Sequence, residues 1–311
     1  MKVTKFILLL LLIFVFILIG CRDKNTESSD NYELVKVTGG LNFPEGPAWD
    51  GKNTLYVSNC YGSWITRVSG SQVDTLVDTP STPVSFKQTN GMTVYRDGTI
   101  YACDFGLGAI LTFNASGECQ MFLANYQEQK FNRPNDLAFD ADGNLYFTDP
   151  KSYDRNNRDG VVYAYFQDGK VLKPVYSGLG FPNGIAFSPD GQYLYVCESA
   201  LARVLKFPVQ ADGNLGEYSV FVEITGGDPD GIAFDTKRNL YVAHFGTGAV
   251  YMVSPDQQII RKIDLPGKKV TNVEFGDADM RTLYITEVET NTLYKIRVET
   301  PGLRLFSSPT F

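Results

Sequence analysis

Glu45, Asn90, Asn135, Asn183 and Asp230 stand at one register of a repeat, separated by 45, 45, 48 and 47 residues, and Thr271 follows 41 residues later. Each belongs to a short motif: FPEGPAWD (43–50), TNGMTVYRD (89–97), RPNDLAFD (133–140), FPNGIAFS (181–188), DPDGIAFD (228–235) and VTNVEFGD (270–277). The set offers two carboxylates and three amide carbonyls, with no thiolate and no imidazole. Oxygen donors of this kind suit one hard divalent cation, whereas zinc is more often held by nitrogen or sulfur. Ca²⁺ is the expected ion, with Mg²⁺, Mn²⁺ or Zn²⁺ as the other candidates. Proline precedes four of the positions (Pro44, Pro134, Pro182 and Pro229), and a fixed φ with no N–H donor stiffens those turns. Glu45, Asn135, Asn183 and Asp230 are therefore the expected ligands, with Asn90 and Thr271 outside the set. The competing reading makes Asn-Gly and Asp-Gly mere turn formers. It accounts for Asn90 and much of Asn183, but not for a glutamate, a poor turn former, at position 45.

A period of 41–48 residues built from short apolar strands points to a propeller in which each repeat is one blade. The repeat containing Asp230 reads GIAFD, NLYVAHF, AVYMVS and QIIRKIDL, four strands with alternating or β-branched character and turn residues between them. The fold class expected is all-β: a six-bladed β-propeller of four-stranded antiparallel blades, the ring closed by a terminal strand. The sixth repeat lacks its outer strand, and either Glu33–Thr38 or Leu303–Phe306 could supply it. If the innermost strands all start at the same mouth, the ligand candidates converge there. A second ring follows from strand parity: Asn59, Asp104, Asp149, Glu198, His244 and Glu287 match one another at the upper ends of the second strands. These are candidates for substrate contact, Asp149 and His244 foremost, and those two are also reserve general bases. Cys103 and Cys197 occupy a slot filled elsewhere by Ser58, Thr148, Ala243 and Thr286, so Cys60, Cys103, Cys119 and Cys197 read as small buried thiols rather than as disulfide partners.

The first 31 residues have a different character. Lys2 and Lys5 precede an apolar run from Phe6 to Gly20, 15 residues long and short of the roughly 20 that a membrane-spanning helix needs. The run ends Leu18-Ile19-Gly20-Cys21, which resembles a bacterial lipobox; the alternative is an uncleaved N-terminal anchor. The organisation expected is a lipoprotein signal peptide over 1–20, a lipidated Cys21 with a polar tether over 21–31, and the propeller over 32–311. That places the domain on the outer side of a bacterial membrane, periplasm-facing or at the cell surface, touching the membrane only through its lipid. The chain has 28 basic and 35 acidic residues, a formal net charge of −7. Acidity of this kind argues against a nucleic-acid partner and favours a soluble monomer.

The motifs FPEGPAWD, RPNDLAFDADGNLYFTDP, FPNGIAFSPDGQYLYV and DPDGIAFDTKRNLYVAHFG together resemble the senescence marker protein/gluconolactonase/luciferin-regenerating enzyme-like family of six-bladed propellers. The resemblance covers nearly all of residues 40–297. It implies a hydrolase that opens a small lactone or related ester with one divalent cation in the channel. Carried over by position, it implies Glu45, Asn183 and Asp230 as cation ligands and Asn135 beside the cation or against substrate. It also makes Arg133 the substrate-contacting arginine, and Asp230 the general base or the group that positions the attacking water. Where the family commonly ends the second blade's strand with His-Gly, this chain has Asp104-Phe105-Gly106. Two other functional classes remain open at this point: a tethered propeller that only binds a glycan or protein, and metal-free chemistry of the strictosidine-synthase type on the same fold.

Overall fold

Short runs of β-branched and aromatic residues, broken every few positions by Asp-Gly, Asn-Gly and related turns, leave the chain no route to long helices. In the computed structural model, which describes residues 32–305, these runs form six four-stranded antiparallel sheets in chain order. The apolar run, Cys21 and the tether, and residues 306–311, lie outside the described residues. Blade 1 runs Pro44–Trp49, Thr54–Asn59, Trp64–Ser69 and Gln72–Asp78, and blade 2 runs Thr89–Val94, Ile100–Asp104, Ala109–Phe113 and Cys119–Leu123. Blade 3 is Leu137–Phe139, Leu145–Asp149, Gly160–Phe166 and Val171–Leu179; blade 4 is Pro182–Phe187, Tyr193–Glu198, Arg203–Pro208 and Ser219–Glu223. Blade 5 is Asp228–Phe234, Leu240–Phe245, Ala249–Val253 and Ile259–Asp264.

Blade 6 takes three strands from the C-terminal end, Val270–Gly276, Thr282–Glu287 and Thr292–Arg297. Its fourth comes from the other end of the chain: Val35–Gly39 pairs antiparallel with Thr292–Arg297. The N-terminal strand is thus the one that closes the ring, and the seam removes what would be an exposed edge. Nearer the axis, Thr271 Oγ1 of blade 6 donates to the Pro44 carbonyl of blade 1 at 2.8 Å. The competing segment has a different job. Gly302 bridges Asp235 and donates to the Met280 carbonyl, while Leu303 N–H donates to Phe234 O, so the C-terminal segment straps blades 5 and 6 at the far end of the channel.

Apolar side chains of neighbouring blades interlock to make the core, with Tyr146, Tyr241, Phe113, Phe147 and Phe207 among the largest fully buried. Cys60, Cys103, Cys119 and Cys197 are all buried free thiols, and no disulfide forms among the described residues. Near the axis the blades come so close that a side chain is excluded. A Cβ at Gly46, where φ is +30°, would lie 2.2 Å from the Asn90 carbonyl oxygen of the next blade. This explains why glycine follows the ligand register in four repeats.

Candidate active site at the mouth of the channel

The ligand register coincides with a backbone irregularity. In blades 1, 2, 4, 5 and 6 the pairing of the innermost strand with its neighbour slips between Glu45 and Ala48, Thr89 and Met92, Pro182 and Ile185, Pro229 and Ile232, and Val270 and Asn272. A bulge adds a residue to one strand and re-aims a side chain out of the alternation. Here it frees Glu45, Asn90, Asn183 and Asp230 from the sheet faces and turns them toward the axis. In blades 1 and 3 a hydroxyl of the second strand then ties to the turn of the next blade: Ser58 Oγ donates to Asn90 O, and Thr148 Oγ1 to Asn183 O, both at 2.8 Å.

A cavity of about 220 Å³ opens at this mouth, and Glu45, Asn90, Asn135, Asn183 and Asp230 all line it. The structure therefore brings the four expected ligands together, and Asn90 with them. Their electrostatics are those of a charged site kept dry. Burial, then the nearby Asp136 charge, pushes Glu45 up to about 8, against the opposing hydrogen bonds of the Gly46 N–H and the Asn272 amide. Burial and then the Glu45 charge hold Asp230 well above the usual carboxylate range, with the Asn183 amide hydrogen-bonded to it and working the other way. Glu45 Oε2 is buried without a hydrogen-bond partner. An orphaned carboxylate oxygen beside a second carboxylate and three amides is a donor set that a divalent cation fits, because the cation offsets both the repulsion and the desolvation.

Sequence reasoning missed Asp136. It is buried at the axis, pushed up to about 7 by burial, and it raises both Glu45 and Asp230 through its charge. The signal was present: only the third repeat reads Asn-Asp where the other amide or acid motifs read Asn-Gly, Asp-Gly or Glu-Gly. Gly91 of the neighbouring blade makes the space, since a Cβ there would meet Asp136 Oδ1 at 2.1 Å. Deeper in the channel Glu274, pushed up to about 8 by burial, shares a chamber of about 60 Å³ with Asp136 and Asn272, above the apolar stopper of Leu303 and Leu305.

The second ring turns out differently from the expectation that it contacts substrate. All six members are fully buried, and none lines the cavity. Asp149 accepts the N–H groups of Asn132 (3.0 Å) and Arg133 (2.7 Å). Asp104 accepts those of Lys87, Gln88, Gly106 and Leu107, and Glu287 those of Lys269, Glu289 and Thr290. His244 spans the Ile224 carbonyl (2.9 Å) and Thr247 Oγ1 (3.0 Å), and burial lowers its pKa. The neutral ring thus donates from Nε2 and accepts at Nδ1. Each of these side chains ties down the loop that enters an innermost strand. Asp149 and His244 are placed to hold loops, with their polar atoms already engaged, rather than to meet substrate or take its proton.

Arg133 does stand at the mouth. Its side chain is exposed, with the guanidinium 5.2 Å from the centroid of the Phe105 ring, and Phe105 lines the cavity. The walls above the ligand floor come from two positions that the repeat pattern also marks. One lies two residues before the ligand (Phe43, Phe181, Asp228), and the other directly follows the buried ring (Cys60, Phe105, Ser199, Phe245).

The family model described as the SMP-30/gluconolactonase/LRE-like region matches residues 43–289, which contain all six motifs. The chain belongs to this family. Among its relatives, a gluconolactonase of Zymomonas mobilis is 29% identical over 86% of this chain and 81% of its own length. A lactonase of Staphylococcus haemolyticus is 27% identical over 72% of this chain and 70% of its own. The solved gluconolactonase structure from Xanthomonas campestris superposes with a TM-score of 0.76 at 28% identity, covering 88% of this chain and 91% of that one. Family membership thus rests on the span that carries every innermost strand and the mouth.

Proposed function

We propose that the protein is a cation-dependent lactonase, a carboxylic ester hydrolase whose site is the floor formed by Glu45, Asn135, Asn183 and Asp230. The observation that carries this reading is the meeting of Glu45, with its unpartnered Oε2, and Asp230 at the base of an open cavity. Relatives named gluconolactonase and lactonase support the reaction class. Glu45, Asn183 and Asp230 would hold the ion, with Asn135 beside it; Ca²⁺ is the first choice, since every donor is a hard oxygen.

When bound, the cation supplies a Lewis acid for the lactone carbonyl and a counter-charge for the oxygen that becomes negative in the transition state. The remaining chemistry belongs to side chains. Asp230, with the Asn183 amide hydrogen-bonded to it, orients the attacking water and takes its proton as the new C–O bond forms at the carbonyl carbon. The ring C–O bond then breaks, and the departing alkoxide takes the proton back from Asp230, leaving a hydroxy acid. The aromatic wall limits bulk water at the reacting carbon, and Arg133 at the rim meets the substrate's outer end.

The test is turnover of a panel of five- and six-membered lactones and aryl esters, before and after chelation and after adding the ion back. Activity that disappears with chelator and returns with calcium is the expected result; full turnover in chelator, or none under any condition, overturns the reading. The basic and apolar N-terminus supports lipid attachment at Cys21, which would tether the domain to the outer side of a bacterial membrane. Lipid labelling that persists in Cys21→Ser would overturn the assignment of the lipid to Cys21.

A further inference from the structure

Resting on the lactonase reading, we infer that this site selects lactones carrying an apolar or aryl ring over polyhydroxylated sugar lactones. The wall of the cavity is aromatic: Phe43, Tyr61, Phe105, Tyr153, Phe181 and Phe245 all line it above the polar floor. The four phenylalanines come from blades 1, 2, 4 and 5, so Phe43 and Phe181 sit on opposite blades of the six-membered ring, as do Phe105 and Phe245. An apolar ring entering the mouth meets phenyl groups from two diameters.

Two of these residues are held there at a cost. Phe43 and Phe181 both have φ of 56°, a left-handed backbone that aromatic residues rarely adopt. Strain of this sort persists where the surroundings impose it, and it clusters at ligand sites. The bulged FPEG and FPNG turns impose it here, and the result is a phenyl ring on the cavity wall beside each of two ligand residues. Each ring is also braced: Phe43 packs on Tyr61 with centroids 4.4 Å apart, and Phe181 on Tyr153 at 5.3 Å.

Several polar groups of the wall are already committed. Ser199 Oγ donates to the Pro229 carbonyl at 2.8 Å, and the Tyr153 hydroxyl donates to Asp228 Oδ1. Cys60, whose thiol is pushed up by burial and by the surrounding carboxylates, is a weak hydrogen-bonding group. Asp228 is the charged side chain of the wall, held through Oδ1 by Tyr153, and the basic groups stand at the rim, with the Arg133 guanidinium over Phe105 and the Lys269 ammonium 5.8 Å from the Phe245 centroid. A sugar lactone entering this collar would strip water from several hydroxyls and find few partners for them, a loss that recognition cannot absorb. An aryl lactone has no ring hydroxyls to desolvate and gains stacked contacts. The cavity volume, that of about seven waters, suits a ligand of one or two small rings.

The experiment uses the full chain with calcium supplied and compares 3,4-dihydrocoumarin with glucono-1,5-lactone. The wild type is expected to favour the aryl lactone in kcat/KM by about tenfold or more. Phe105→His and Phe245→Ala, both at positions with ordinary backbone, are expected to cut that preference by about tenfold, mainly through a higher KM for the aryl lactone. Melting curves confirm that the variants fold. A wild type that prefers the sugar lactone overturns the inference while leaving the lactonase reading intact, as does a preference that neither variant moves. Absence of turnover with both lactones overturns the lactonase reading and the inference together.

Discussion

Two polar rings run round this propeller in the same six-fold register, 14 to 16 residues apart along the chain in every blade, and they do opposite things. The inner ring of Glu45, Asn90, Asn135, Asn183 and Asp230 opens on a cavity and leaves a carboxylate oxygen without a partner. The outer ring of Asn59, Asp104, Asp149, Glu198, His244 and Glu287 is buried more completely still but engaged: Asp104 alone accepts four backbone N–H groups. Residue type does not separate them, and both rings are buried. What separates them is whether the folded chain itself satisfies their hydrogen bonds. A satisfied buried carboxylate stabilises the loop that it holds; an unsatisfied one costs free energy until something else binds it.

Substitution in each ring makes the contrast measurable. Asp230→Ala removes a ligand and the water-positioning oxygen together, and turnover is expected to fall by about 10²–10³-fold. The same change relieves like-charge crowding, so the cation-free protein should melt no lower than the wild type. Asp149→Ala does the reverse. It strips the acceptor from the N–H groups of Asn132 and Arg133, and stability should drop by about 1–3 kcal/mol. Turnover per folded molecule should fall much less than in Asp230→Ala, with the effect concentrated in KM because the Arg133 backbone loosens. Thermal melts and steady-state kinetics on the same preparations read both. Similar kinetic losses in the two variants, at equal folded fractions, would erase the distinction between the rings.

A smaller effect appears in pH. Glu45 is raised to about 8 and Asp136 to about 7 by burial. A carboxylate whose folded pKa exceeds its unfolded value binds more protons in the folded state. The stability it confers is therefore complete below about pH 4 and is lost as pH rises through 7 and 8. In chelator, the melting temperature should decline between pH 5 and pH 8, and saturating calcium should flatten that decline. A pH-independent melt in chelator would mean that the floor is not a store of uncompensated charge.

Much of this was legible in the sequence because repetition exposes register. Six motifs at a 41–48-residue period gave the blade count, and a glutamate where its equivalents are Asn or Asp marked the register that the fold gathers at one cavity. Other features were hidden for physical reasons. Strand parity correctly put Asp149 and His244 in a ring, but no pattern of letters shows that their atoms are spent on backbone groups contributed by a neighbouring loop. The bulge at the ligand register is a pairing slip, visible only once the partner strand is in place. The aromatic wall comes from positions beside the two polar rings, where the repeats vary most, so the register that revealed the floor concealed the collar. The choice between the two terminal strands was settled by the pairing of Val35–Gly39 with Thr292–Arg297.

The central claim is that the inner ring takes one divalent cation through Glu45 and Asp230. Calorimetric titration of calcium into the chelator-stripped protein at pH 8 tests it most directly. The expected result is one saturable site per chain whose affinity falls by tenfold or more in Glu45→Gln, a change that keeps the side chain's shape and removes its charge. Titration heats indistinguishable from dilution in the wild type, or an unaltered site in Glu45→Gln, would contradict it.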